Sequence, residues 1–277
     1  MTEYLTYIFL GMVQGLTEFL PVSSSGHLVI FQTLFGMEGP QLFFDIMLHV
    51  GTGIAVIFFL RKDLAAILGG IASWFGDYRR KGGLIDSLLS HESTRMVILL
   101  FIACIPTGLA GILLKDTFEG LFHSVTTTGL ALIITGFILF LTRWAPQKNR
   151  GVRDMNILDA LIVGLAQGIA ITPGISRSGF TICALLFLGI NRELSAKFSF
   201  LLALPAITGA AILESSHINR FSPGMLIPVG SGFLTSILFG FLALYLLLAI
   251  VRKGKMSMFA YYCWILGTVT LFYGLYT

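Results

Sequence analysis

The sequence predicts an all-α integral membrane fold with six transmembrane helices plus two re-entrant helical hairpins in an inverted-topology repeat. Three observations predict it: a composition too apolar for water, a set of bands of spanning length that are free of charge apart from Asp45 at the mouth of one, and two interrupted bands that match each other. Of 277 residues, 56% are hydrophobic and 12% charged, and the mean hydropathy is +0.88. A soluble domain carries about 25% charged residues, so the main solvent of this chain is lipid. That excludes soluble enzymes and disordered scaffolds. The net charge of +4 does not point to nucleic acid, because the basic residues lie between apolar bands and not along one face.

Six stretches can cross about 30 Å of hydrocarbon as helices: Phe43 to Leu60, Met96 to Leu114, Val125 to Thr142, Phe198 to Leu213, Met225 to Val251 and Met256 to Thr277. Two further regions, Leu5 to Phe35 and Ile157 to Ile190, are interrupted by Pro, Gly and runs of Ser. Backbone that leaves the helix at membrane depth must find its hydrogen bonds inside the protein, so these regions read as re-entrant hairpins lining a cavity. If both hairpins return to the side they enter from, all but three of the 18 basic residues fall on one side. The exceptions are Lys115, Arg220 and Arg177, the last within the second hairpin. The positive-inside bias then puts both termini outside. Between Arg61 and Arg95, the apolar stretch Leu64 to Phe75 is expected along the membrane surface. Nothing before Leu5 has the basic start of a cleavable signal, so the N-terminus is expected to be kept.

The two interrupted regions match at a spacing of 153 residues: Gly11, Gln14, Gly15, Ser23, Ser25 and Gly26 fall on Gly164, Gln167, Gly168, Ser176, Ser178 and Gly179. The single domain, residues 1–277, therefore divides into a first repeat at about 1–142 and a second at about 157–277. Each is a hairpin followed by three spans. An odd number of spans inverts the second repeat, a plan that puts a site where the two broken helices meet.

At that meeting point Glu18, His27 and Arg177 are ionisable groups at membrane depth, each costing a few kcal/mol, about 2.5–3.5 on insertion scales. Such a cost points to function. The competing structural reading is a buried Glu18–Arg177 pair with His27 a satisfied core histidine. Ser24 and Arg177 occupy equivalent positions at the two hairpin tips. An arginine fork with Gly174, Ser176, Ser178 and Thr181 at a helix start suits a phosphate group, with Ser23 and Ser25 as further donors. Opposite it, Ser24, His27 and Glu18 supply a nucleophile, a general base and a carboxylate. Gln14 and Glu18, four apart on one helical face, could share a divalent cation, which phosphoryl transfer favours.

Two segments carry a family resemblance: Gln14 to Glu18 with the following Pro-Val-Ser-Ser-Ser-Gly-His, and Pro173-Gly-Ile-Ser-Arg-Ser-Gly-Phe-Thr181. They resemble the (E/Q)xxxE and PGxSRSxxT motifs of the bacterial undecaprenyl-diphosphatase family, the bacitracin-resistance phosphatases. The likeness runs along the whole chain and includes Phe44-Asp45 to His49-Val50-Gly51. It implies an enzyme of the bacterial cytoplasmic (inner) membrane that hydrolyses undecaprenyl diphosphate to the monophosphate lipid carrier for the cell wall. Its site would open to the periplasm and need Mg²⁺ or Ca²⁺. Glu18 then matches the second acid of the first motif, Ser24 and His27 the catalytic serine and histidine, and Arg177 the phosphate-binding arginine. Gln14 stands where other members have Glu, leaving less negative charge for the metal. The rival is a transporter or flippase of a phosphorylated isoprenoid lipid, but a carrier has no use for a nucleophile beside its phosphate cradle. A homodimer, the chain-length preference, and serine attack versus direct attack by water stay open.

The remaining polar and aromatic residues are given ordinary roles. Asp45 and His49 read as lining the cavity mouth or as a helix-start acid with a packed histidine. His91, His123 and His217 are expected in solvated loops. Trp74, Trp144 and Trp264 are expected as interfacial anchors. Cys104, Cys183 and Cys263 lie in apolar runs, with no disulfide or metal spacing.

Overall fold

A computed structural model describes residues 2–37, 41–81, 91–122, 124–214 and 225–276. These residues form twelve α-helices and no β-strand: α1 (Thr2–Phe19), α2 (Ser24–Leu34), α3 (Leu42–Phe59), α4 (Arg61–Lys81), α5 (Glu92–Leu113), α6 (Lys115–Phe122), α7 (Val125–Leu141), α8 (Ile157–Ile169), α9 (Arg177–Phe187), α10 (Arg192–Glu214), α11 (Leu226–Arg252) and α12 (Met258–Tyr276). The described helices include five candidate membrane spans, or six if the bent α3–α4 pair counts as one. Helix α4 turns from α3 by 72°, the kind of bend that takes an amphipathic stretch out of a spanning direction.

Each interrupted region is a helix, a break and a second helix: α1 and α2 around residues 20–23, α8 and α9 around 170–176. The breaks end in matching caps. Ser23 Oγ accepts from the Gly26 N–H at 3.2 Å, and Ser176 Oγ from the Gly179 N–H at 3.0 Å. The other helices begin where side chains satisfy their first N–H groups. Ser124 caps α7, and Asn156 forms a capping box with Asp159 at α8.

Hydropathy set the expected start of the fourth span at Phe198, whereas α10 begins at Arg192. Its first turns carry Arg192, Glu193 and Lys197, which a hydropathy window scores as loop. The Asn191 side chain caps this turn by accepting from the Glu193 and Leu194 N–H groups, and Lys197 pairs with Asp63 at 2.8 Å. Helix α5 likewise starts at Glu92, ahead of the expected Met96.

Small residues let the helices approach. A Cβ on Gly11 would stand 2.2 Å from the Gly232 carbonyl oxygen, and one on Gly164 the same distance from that of Ala103. Hence α1 lies directly along α11, and α8 along α5. The main core gathers Phe19, Phe200, Leu244 and Leu247. Outside it, Phe101, Ile112, Leu234, Leu238 and Ile265 are exposed, an apolar surface suited to lipid.

Trp144 is exposed, whereas Trp264 packs into α7 against Phe137 and Phe140 and is not placed as a free anchor. Gly136 leaves the space that its indole ring fills. His91 is half-buried at the start of α5, not fully in solvent. His123, His217 and Arg220 lie outside the described residues. Cys104, Cys183 and Cys263 are free thiols.

Candidate active site

The two breaks bring their tips together. A Cβ on Gly26 would stand 3.2 Å from Gly174 Cα, and one on Gly179 3.3 Å from Pro21 Cβ. Gly174 itself has φ +92 and lies against α7, where a Cβ would meet the Thr128 carbonyl oxygen at 2.4 Å, so only glycine fits there. Thr135 of α7 pins this tip by donating to the Gly174 carbonyl at 3.0 Å and accepting from the Ser176 N–H at 3.1 Å. Ser23, a non-glycine residue, holds φ +67, a conformation that costs energy and gathers at functional sites.

Glu18, at the end of α1, is buried, and four side chains converge on it. Ser24 donates its hydroxyl to Oε2 at 2.6 Å, and Gln14 Nε2 donates to the same oxygen at 2.9 Å. Arg177, at the start of α9, forms an ion pair with Oε1. His49 of α3 brings Nε2 to 3.4 Å from Oε2. The His49 Nδ1 atom bonds the Asp45 carbonyl at 2.6 Å, a contact that makes Nδ1 the protonated nitrogen and leaves Nε2 turned toward Glu18. Asp45 accepts from Gln32 at 2.6 Å.

His27 is placed differently from the expectation. Its Nδ1 bonds the Ser23 carbonyl at 2.7 Å and its Nε2 the Tyr262 hydroxyl at 2.6 Å. With both ring nitrogens engaged it makes no hydrogen bond to Ser24, so the group in place to take the Ser24 proton is Glu18. The two elements of the structural reading, a Glu18–Arg177 pair and a satisfied His27, are thus both present. That reading leaves unexplained why a serine hydroxyl donates to the same carboxylate.

The expected phosphate cradle is largely occupied with holding itself together. Ser176 Oγ caps α9 and lies 3.3 Å from Ser178 Oγ, as Ser23 Oγ lies 3.3 Å from Ser25 Oγ. Ser178 reaches the Leu20 carbonyl at 3.4 Å, and the Thr181 hydroxyl meets Ser199 of α10 at 2.6 Å. Arg177 remains the cationic group of the cradle, and Nη1 also reaches the Ser199 carbonyl at 3.4 Å.

For a divalent cation the donors are few but suitable. Gln14 Oε1 is buried with no hydrogen-bond partner, on the amide whose Nε2 donates to Glu18. A cation would satisfy that oxygen. No cluster of three or more His, Cys, Asp or Glu residues suited to a metal occurs among the described residues. Gln14 and Glu18 are the side chains that would hold an ion such as Mg²⁺, whose remaining shell phosphate oxygens and water would fill.

A family model described as "Bacitracin resistance protein BacA" matches residues 7–269. The chain belongs to this family. It is similar to proteins named undecaprenyl-diphosphatase from Halothermothrix orenii, 42% identical over 273 residues, which are 97% of each chain, and from Desulfatibacillum aliphaticivorans, 44% identical over 270 residues, 97% of this chain and 98% of that one. A relative from Methanosphaera stadtmanae carries the same name at 39% identity over 98% of both chains. Against this family background, His49, Tyr262, Thr135 and Ser199 are site neighbours to which sequence reasoning gave no chemical part. His49 carried a signal, an imidazole inside an otherwise apolar span. Tyr262 carried none, since its partner His27 is 235 residues away.

Proposed function

We propose that this protein hydrolyses undecaprenyl diphosphate to undecaprenyl phosphate and inorganic phosphate, regenerating the lipid carrier of cell-wall synthesis. The observation that carries the proposal is the meeting of Ser24, Glu18 and Arg177 across two hairpins. It puts a hydroxyl donor, a carboxylate acceptor and a guanidinium fork around one point, as phosphoryl transfer requires.

In the proposed sequence Arg177 shares its N–H groups between Glu18 and the terminal phosphate. Ser24 Oγ bonds to that phosphorus as its proton passes to Glu18. The bond from phosphorus to the bridging oxygen breaks, and undecaprenyl phosphate leaves with the electron pair and takes the proton from Glu18. Water then attacks the phosphoserine, giving its proton to Glu18, and the P–Oγ bond breaks as Ser24 recovers a proton. Ser23, Ser25, Gly174, Ser176 and Ser178 hold the two tips around the phosphate, and Thr181 steadies the second tip by tying α9 to α10 through Ser199. His27 fixes the Ser23 carbonyl next to the nucleophile. A divalent cation, Mg²⁺ or Ca²⁺, held by Gln14 and Glu18, would supply charge neutralisation at the diphosphate.

The proposed setting is the cytoplasmic membrane, with six spans and two re-entrant hairpins in an inverted repeat and the site open to the outside. The basic-residue distribution supports the orientation. The repeat is supported by Gly11 and Gly164, which match at the 153-residue spacing and make the same backbone approach to α11 and α5. The direct test is phosphate release from undecaprenyl diphosphate by purified protein in detergent. Release that stops when a chelator is added and returns with Mg²⁺ or Ca²⁺ is expected; no release under any of these conditions would overturn the proposal.

A further inference from the structure

Away from the hairpin tips, a polar cleft of about 360 Å³ opens where the chain after α7, the start of α10 and the end of α11 meet. Its lining includes Arg143, Gln147, Asn149, Arg192, Glu193 and Arg252. The wall is tied by main-chain bonds from Arg150 N to the Gly189 carbonyl and from Asn191 N to the Arg150 carbonyl, at 3.0 and 2.9 Å. Because Asn191 already satisfies the first N–H groups of α10, what the cleft offers a ligand is its guanidinium groups.

Those groups outnumber their partners. Arg252 is held in a two-toothed pair by Glu193, Nε at 3.0 Å and Nη2 at 2.9 Å. Arg143 has no carboxylate partner among the described residues; it lies over the Phe140 ring and donates to the Tyr261 hydroxyl at 2.8 Å and to Ser257 at 3.3 Å. Arg192 has no ion-pair partner among the described residues. Its guanidinium lies flat against Gly254, where a Cβ would stand 2.7 Å from the guanidinium carbon, and Gly254 holds φ +68. Three arginines against one glutamate leave the lining two positive charges in surplus. The rim is amphipathic: Trp144, between the lining residues Arg143 and Ala145, and Tyr261, bonded to Arg143, are both exposed. Aromatic side chains in this setting mark the depth of lipid head groups.

We propose that this cleft binds the phosphate of an anionic phospholipid head group, with the Arg192 and Arg143 forks as donors and the acyl chains lying over the exposed apolar rim. Planar guanidinium groups match phosphate oxygens in pairs, and basic pockets between helices at membrane level are suited to anionic head groups. A lipid is favoured over a free anion because exposed aromatic side chains adjoin Arg143 at the edge of the cleft. The proposal does not depend on the hydrolytic reaction.

The test is titration of the purified full chain with phosphatidylglycerol or phosphatidylcholine, read by native mass spectrometry. Wild type is expected to retain phosphatidylglycerol in preference to phosphatidylcholine. Arg192→Gln and Arg143→Gln should each weaken phosphatidylglycerol binding about fivefold. Arg153→Gln, which alters an exposed arginine paired with Glu92 outside the cleft, should leave it unchanged. If Arg192→Gln elutes as an aggregate, the Arg143→Gln comparison decides alone. Equal retention of the two lipids, unaltered binding in the cleft variants, or equal loss in Arg153→Gln would overturn the proposal. So would displacement of the lipid by an equal concentration of inorganic phosphate, which would mark the cleft as a site for the free anion.

Discussion

Glu18→Gln separates the structural work of the Glu18 carboxylate from its chemical work. The substitution keeps size and one acceptor oxygen, but it removes the charge that faces Arg177 and the base that faces the Ser24 hydroxyl. Removing one partner of a buried ion pair costs about 3–5 kcal/mol. Arg177 keeps 16% of its side-chain surface exposed, so the lower end, about 3 kcal/mol, is expected. At about 2–4 °C per kcal/mol for a chain of this size, the thermal midpoint in detergent should fall by about 6–12 °C. Loss of the base should slow turnover by about 10²–10⁴-fold. The double variant Glu18→Gln with Arg177→Gln no longer buries an unpaired charge, so it should recover part of the midpoint while staying inactive. Phosphate release and thermal unfolding on the same samples read both effects. Turnover of Glu18→Gln within about tenfold of wild type, or a double variant less stable than the single, would refute the reasoning.

Three further outcomes are expected. Arg177→Lys should fail to restore the turnover lost in Arg177→Ala, because a point-charge ammonium cannot hold two phosphate oxygens as a planar fork does; wild-type turnover in the Lys variant would remove that role. Gly174→Ala should destabilise by about 2–5 kcal/mol, adding the cost of a left-handed conformation to a clash with the Thr128 carbonyl, and an unchanged thermal midpoint would contradict the packing described. A cysteine placed between Asp116 and Leu121 should react with an impermeant thiol reagent in intact cells, and one between Gln147 and Val152 only after lysis; the reverse pattern would invert the proposed orientation.

The helices were legible because lipid imposes a length and a polarity on each span, and the two breaks because Pro, Gly and Ser interrupt apolar sequence. The helix starts at Arg192 and Glu92 were not, since ion pairs such as Lys197 with Asp63 hold charged turns that hydropathy reads as loop. The matched breaks pointed to a meeting of their tips, where Gly26 lies against Gly174 and Gly179 against Pro21. They could not show who bonds whom. Glu18 and Arg177 are paired, as the competing structural reading had it, yet Ser24 donates to Glu18 and not to His27, because Tyr262 and the Ser23 carbonyl claim both imidazole nitrogens. His49 reached the site through the packing of α3 beside α1, a long-range contact with no spacing signature. Thr181, expected to face phosphate, instead joins α9 to α10 through Ser199.

The central claim is that Ser24, with its proton going to Glu18, is the attacking group. Turnover of Ser24→Ala, measured alongside binding of a non-hydrolysable diphosphate analogue, tests it most directly. The account predicts that binding persists, since Arg177 and the tip contacts are untouched, while phosphate release falls by about 10³-fold or more and is no lower in Ser24→Ala with Glu18→Gln than in the more impaired single variant. Phosphate release by Ser24→Ala within about tenfold of wild type would contradict it and assign the attack to water.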